Sequence, residues 1–265
     1  MDRKTIYVSS KNRTSGTTDD FIIEDDRERF TNTPLSIKAK SITIPFMWNN
    51  ITAGVGGNNN FSFTGFVSGP HTFVIPVGNY TGATLAKELA KQLNIATGGG
   101  SCSGGYTVTY DITTGKYTFT SLTETFSIDF TIPDSMANIL GFDAVVTPFA
   151  LSHTSTGVAS ILPDYDIWVC TDLISGIDNG VCNLTGNPPS SEQMGVLACV
   201  PITTCFGSII HYVVPDEFPF YTIVNSNFTV AQPRSSRYYL RFPSGAPLSL
   251  NGNDWSMQML WDFNQ

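Results

Sequence analysis

Tyr106-Thr107-Val108-Thr109-Tyr110-Asp111-Ile112-Thr113-Thr114-Gly115-Lys116-Tyr117-Thr118-Phe119-Thr120 is the stretch that decides the fold class. Tyr106, Val108, Tyr110 and Ile112 alternate with polar residues, the period of two that puts one set of side chains on a single face of a strand. Thr113-Thr114-Gly115 supplies a turn, and Tyr117 and Phe119 carry the apolar face back. A β-hairpin is expected here. Upstream, strands are expected at Thr5–Val8, Phe21–Ile23, Leu35–Ile44 and Asn60–Phe66, the last with Phe61 and Phe63 on one face. In Leu35–Ile44, the apolar Leu35, Ile37 and Ala39 alternate with Ser36, Lys38 and Lys40, and Pro45 ends the run. Downstream, strands are expected at Phe126–Ile132, Ile167–Thr171, Val196–Ile202, Ser208–Val214, Phe228–Val230, Tyr238–Phe242 and Trp255–Phe263.

One helix interrupts this series. Leu85, Ala86, Leu89, Ala90 and Leu93 form a stripe at 3.6-residue spacing opposite Lys87, Glu88, Lys91 and Gln92, and Thr81 is placed to cap its start. Asp134 is expected to cap a second, short helix through Ile139-Leu140, which Gly141 stops. Many strands separated by turns, with one helix inserted near 81–94, predict an all-β sandwich. No repeat and no linker divides the chain. The expected organisation is an N-terminal arm, residues 1–34, followed by a single domain, residues 35–265.

Of the 265 residues, 41% are hydrophobic and only 14% charged, against about 25% charged in an average globular protein. A chain this poor in charge has a large core or buries much of its surface against neighbours. Residues 1–40 hold fifteen of the thirty-six charges, and residues 41–86 hold none. Between Lys116 and Arg234 there are eleven acidic residues and no basic one. The net charge is −8 with a pI near 4.7, which disfavours nucleic-acid binding by the body of the chain. The first thirteen residues are the exception: Arg3, Lys4, Lys11 and Arg13 face only Asp2. No run of about 18 apolar residues suggests a membrane helix. No apolar segment follows Met1-Asp2-Arg3-Lys4, so no secretory signal is expected.

Catalytic patterns are not found. Cys102, Cys170, Cys182, Cys199 and Cys205 are odd in number and irregular in spacing, which reads as thiols in a reducing compartment rather than a disulfide framework. His71 in a turn, His153 in a loop and His211 in a strand stand at no metal-ligand spacing from one another. Gly65–Gly69 puts its serine at the fourth place, where a nucleophile elbow needs the third. Asp164 and Asp166 flank Tyr165, and Asp216-Glu217 are adjacent. Such pairs could serve a glycosidase or hold calcium, but beside Pro163 and Pro215 solvated acids are the default reading. No enzyme, cofactor or metal is expected.

The order of several segments resembles a known group. Thr5–Arg13, Phe21-Ile22-Ile23 and Ser41-Ile42-Thr43-Ile44-Pro45 leading to Asn49-Asn50-Ile51 are similar to the opening of penton (vertex) and minor capsid proteins. These are the proteins of virophages, polinton-like viruses and related double jelly-roll-lineage DNA viruses. Gly78-Asn79-Tyr80-Thr81 running into Gln92-Leu93-Asn94, the Tyr106–Thr120 hairpin, and Asn138-Ile139-Leu140-Gly141-Phe142 are similar to the middle of that group. Val200-Pro201-Ile202, Phe206–Tyr212, Leu240-Arg241-Phe242 and Leu250–Trp255 resemble its second half. The resemblance implies a single jelly-roll β-sandwich of two four-stranded antiparallel sheets, five copies around an icosahedral vertex, and no catalytic residues. It also implies as partners the major double jelly-roll capsid protein and other minor capsid proteins, and as location the virion, assembled inside the host cell. Some vertex proteins insert a large outer domain; no insertion of that size is read in this chain.

The arm is the candidate site. Arg3, Lys4, Ile6, Tyr7, Val8, Lys11, Arg13, Phe21, Ile22 and Ile23 are expected to tether the subunit by strand addition to neighbouring capsomers, with the basic residues touching genome, internal membrane or an acidic neighbour. Residues 35–265 are expected to fold without it. The alternatives are a minor capsid protein beneath the shell and a trimeric tail-fibre or receptor-binding module, in which loop aromatics such as Trp48 and Tyr165 would stack on glycans.

Overall fold

The computed structural model describes residues 2–24, 34–54, 57–65, 69–96, 105–122, 124–161, 165–174, 195–218, 220–223, 235–243 and 245–263. The expected strand Phe228–Val230, the loops around Cys102 and at 175–190, and the charged residues 25–29 lie outside these. Contacts divide the chain into two compact units, Met1–Trp48 with Asp164–Gln265 (unit 1) and Asn49–Pro163 (unit 2). Unit 2 is thus inserted within unit 1.

Unit 1 is built from β1 (Asp2–Ser9), β2 (Ser15–Gly16), β3 (Asp20–Glu24) and β4 (Pro34–Pro45) before the insertion. After it come β11 (Asp166–Thr171), β12 (Gly195–Pro201), β13 (Ile209–Val213), β14 (Tyr221–Thr222), β15 (Ser235–Arg241) and β16 (Ser256–Phe263). One sheet runs β1-β16-β4-β13, with β14 also on β4; the other runs β12-β11-β15-β3-β2. All pairs are antiparallel. Without the two-residue β2 and β14, this is the eight-stranded jelly roll of two four-stranded sheets. Its core takes Ile37, Ile42, Ile44, Met257, Met259 and Trp261 from one sheet and Phe21, Ile167, Val169, Val200 and Leu240 from the other.

Two bulges in β4 rewrite the alternation read from its sequence. Gln258 pairs with Ser41 and Met259 with Ala39, which leaves Lys40 as the extra residue; likewise Asp262 pairs with Ser36 and Phe263 with Pro34, skipping Leu35. A one-residue slip swaps the two faces of a strand. Ile37 and Ala39 therefore face the core, as do Ile42 and Ile44 beyond the bulge, while Leu35 is exposed. Lys38, expected on a solvated face, is buried: its ammonium donates to the Asp216 carbonyl (2.7 Å) and lies 5.8 Å from the centroid of the Phe220 ring.

Unit 2 contains β5 (Asn60–Gly65), β6 (Gly69–Val74), α1 (Gly82–Ala96), β7 (Tyr106–Asp111), β8 (Lys116–Ser121), β9 (Phe126–Asp129), α2 (Ala137–Leu140) and β10 (Ser152–Thr154). They form two three-stranded antiparallel sheets, β6-β5-β9 and β10-β8-β7. Phe61, Phe63, Tyr117, Phe119, Phe126 and Phe130 fill the core with the inner stripe of α1, Leu85, Leu89 and Leu93. The hairpin β7–β8 pairs in unbroken register from Tyr106–Ser121 to Asp111–Lys116. Ile112 is in its turn and exposed, so the apolar face ends at Tyr110.

The α1 cap is reciprocal. The Thr84 amide donates to Thr81 Oγ1 (3.2 Å), and the Thr81 amide donates to Thr84 Oγ1 (2.8 Å). In α2 the cap position is Met136, which makes no side-chain cap hydrogen bond, and Ser135 Oγ, not Asp134, accepts from the Ala137 amide. Gly141 ends α2 in the left-handed region (φ 76°), where a Cβ would meet the Gly157 carbonyl oxygen at 2.6 Å.

The boundary expected at residue 34 is not the one these contacts draw, and the chain does carry a large insertion. The two ends of the insert are joined by side-chain hydrogen bonds. Asn50 Nδ2 donates to the carbonyls of Tyr80 (2.8 Å) and Ile161 (3.2 Å), and its Oδ1 accepts from the Tyr80 amide (2.9 Å).

Candidate assembly surfaces

The N-terminal segment enters both sheets of unit 1. β1 pairs with β16 over eight residues without a bulge, from Asp2–Phe263 to Ser9–Ser256. Ile6 and Val8 pack on the core, and Tyr7 points outward, 59% exposed. Phe21 is fully buried, with its ring 5.6 Å from Trp255 and 5.8 Å from Tyr238. Ile22 faces Ser15 and Arg237 in register, and Ile23 packs against the core.

The basic residues engage their own chain. Arg3 Nε donates to Asp262 Oδ1 (2.7 Å) with its guanidinium 4.9 Å from the Phe220 centroid, and the Lys4 ammonium lies 5.4 Å from the Phe263 centroid. Arg13 Nη1 donates to the Ser10 carbonyl (2.8 Å) and to Asp254 Oδ1 (3.4 Å). Ser10 Oγ donates to Asp254 Oδ1 and accepts from the Trp255 amide, fixing the turn that follows β1. Lys11 is exposed. Residues 2–24 therefore supply strands to both sheets of the sandwich, β1 at the edge of one and β3 with β2 at the edge of the other, and place Val8 and Phe21 in its core. The outer edge of β1 has no strand beside it among the described residues.

The second sheet of unit 1 carries a small apolar cluster on its outer face, formed by Cys170, Val196 and Tyr239 with Trp168 beside them. The guanidinium groups of Arg237 and Arg241 lie 5.1 and 5.4 Å from the Tyr239 centroid. Arg237 also grips Asp20 with two hydrogen bonds of 2.8 Å, tying β15 to β3. Burial pushes the Cys170 thiol up to about 12, so it stays protonated and inert at neutral pH. Trp168 and Cys170 alternate with Ile167 and Val169 of the core, so the cluster lies on the opposite face of β11.

The remaining candidates are dispersed. His71 lies in β6 rather than in a turn. His153 is buried in β10, with Nε2 donating to the Phe126 carbonyl (2.8 Å), and His211 Nδ1 is 3.0 Å from Thr43 Oγ1. In unit 2 the Tyr106 hydroxyl donates to the buried Glu124 carboxylate. Asp164 lies outside the described residues, and Asp216 and Glu217 occupy an exposed turn. Among the described residues no three His, Cys, Asp or Glu side chains are placed to share a metal ion. Trp48, expected in a loop and open to ligands, is buried and stacked on Phe46 at 4.1 Å, whereas Tyr165 is exposed.

No protein-family model matches the sequence, and no curated protein matches it. The structure is similar to that of the mavirus penton protein, with a TM-score of 0.53 and 11% identity over 99% of this chain and 100% of that one. A chain in the cryo-EM structure of the Sputnik virophage aligns with a TM-score of 0.47 and 14% identity over 97% of each. Over nearly its whole length this chain is thus similar in fold to the mavirus penton protein, with the jelly roll in unit 1.

Proposed function

We propose that this chain is a structural, non-enzymatic capsid protein that forms the pentameric vertex of an icosahedral DNA virus, in a shell built from a major double jelly-roll protein. The observation that carries the reading is the end-to-end likeness to a penton protein, which covers 99% of this chain and all of that one. A fold matched only in its jelly roll would fit many sandwich proteins; here the inserted unit is matched as well. The sparse charge, 14% of residues, agrees with flanks that are covered by neighbours.

The N-terminal strand has a role in this reading. β1 ends its sheet, so its outer backbone can accept a strand from an adjacent capsid protein. Arg3 and Arg13 hold carboxylates of their own chain, which favours a protein neighbour over genome or membrane as the partner of this segment.

A density map of purified particles tests the proposal. The expected result is this chain at the fivefold axes, five copies to each. Its location beneath the shell would support a minor capsid role instead, and threefold particles of the isolated protein would support a fibre module.

A further inference from the structure

We propose that copies of this chain join through unit 2, the helix α1 of one copy seating on the edge formed by residues 145–151 of the next. This rests on the vertex reading for the number of copies, but the contact itself is argued from two flanks of unit 2. β7 and β6 end the two sheets on one side, and α1 packs against both. On the other side residues 146–154 pass from one sheet to the other. Val146 bridges to Asp129 and Ala150 to Phe126 along β9, the Ser121 amide donates to the Leu151 carbonyl, and β10 pairs with β8. The helix and the 145–151 edge therefore lie on opposite sides of unit 2.

The two flanks differ in chemistry. The edge exposes Val145, Val146, Phe149 and Leu151, each between 52% and 55%, with Leu122 next to them at 74%. Four large apolar side chains half-exposed within seven residues are a concentration of the kind that marks interaction surfaces. Its charged neighbours are acidic: Asp129 pairs with Val146, Asp143 precedes the segment, and no basic residue occurs from 117 to 163. The helix exposes Ala83, Thr84, Lys87, Lys91 and Ile95, a face with Ala83, Lys87, Lys91 and Ile95 at four-residue spacing, basic in its middle and apolar at its end. Lys91 is also bonded to Glu88 (3.1 Å), on the side of the helix nearer the body. An apolar, acid-rimmed edge on one side and a basic, apolar-ended helix on the other are complementary. Because they are different surfaces on opposite sides, the contact is heterologous and propagates from copy to copy rather than stopping at a dimer, and the fivefold closure is taken from the vertex reading.

The test uses the full chain and two double variants confined to exposed positions. Lys87→Glu/Lys91→Glu spoils the helix flank, and Val146→Asp/Phe149→Asp spoils the edge. Each alone is expected to raise the concentration needed for assembly at least tenfold in mass photometry, with an unchanged circular dichroism spectrum. Mixed, they are expected to give a two-chain species that grows no further, since the intact edge of the first meets the intact helix of the second. Photo-crosslinking from residue 149 of the full chain is expected to label the 82–96 peptide of another copy. Rings of five that persist in both variants, or crosslinks confined to other peptides, overturn the interface and leave the vertex reading standing. Single chains at every concentration, with no fivefold density in particles, overturn the vertex reading instead.

Discussion

Units 1 and 2 solve the same problem, two antiparallel sheets closed on an apolar core, with opposite use of the chain. In unit 2 two of the four strand pairings are local, while β5–β9 and β8–β10 join strands further apart within the insert. β5–β6 and β7–β8 are hairpins, and every strand comes from one continuous stretch of sequence. In unit 1 the central pairings join the two ends of the chain: β16 lies between β1 and β4, so residues 2–9 and 34–45 both pair with 256–263. Loop closure must be met before such contacts stabilise anything, so unit 1 is expected to form later than unit 2 and to need both ends of the chain. The lesson is that the more local unit, which looks like an accessory in chain order, is the one equipped to fold independently.

The sharpest way to break this contrast is to delete residues 2–24. We expect unit 1 to lose its fold while unit 2 keeps it. In hydrogen exchange, amides of β11 and β15 become unprotected while those of β7 and β8 stay slow. Native-like protection in β11 would contradict the account of the N-terminal strands given above. Next in size are single core truncations, one per unit. Phe21→Ala should destabilise unit 1 by about 3–5 kcal/mol, and Leu89→Ala should destabilise unit 2 by about 2–5 kcal/mol. Each loss should be confined to its own unit in denaturant melts followed by site-specific exchange.

Smaller effects sharpen the comparison further. A fragment of residues 49–163 should unfold in one cooperative transition on its own, and Asn50→Ala should weaken it by about 1–3 kcal/mol. The reason is that this one buried amide joins the two ends of the insert. A fragment that melts without a transition would mean that unit 2 depends on unit 1. Smallest of all, Arg237→Ala should cost unit 1 at most about 1 kcal/mol, because the pair with Asp20 is partly solvated. That loss should shrink further as salt is raised.

Legibility followed the same contrast. In unit 2 the local signals held, the 3.6-residue stripe of α1, the alternation of β7 and β8, and Gly141 as a stop, whereas β6 and β10, expected as turn and loop, were missed. The Asp134 cap failed because that residue adopts a positive φ (54°) upstream of the helix. In unit 1 the strands were visible but their faces were not, since the bulges at Leu35 and Lys40 arise from the register with β16. Of the candidate arm residues, Arg3, Lys4, Ile6, Tyr7 and Val8 lie in β1 and Phe21, Ile22 and Ile23 in β3, whereas Lys11 and Arg13 lie in the turn between strands. Their integration into the sandwich was not visible, because Asp254, Asp262 and Trp255 stand some 250 residues away.

What the sequence determined by itself was composition and period: an all-β chain, low in charge, with one substantial helix and no catalytic pattern. Period-2 and period-3.6 patterning act over a few residues and need no partner to be read. The tertiary structure alone decided that residues 49–163 form a separate unit, that the N-terminal segment belongs to the core, and which apolar side chains remain outside it. Those outcomes depend on which distant strands pair and in what register, and one residue of slip reverses every face.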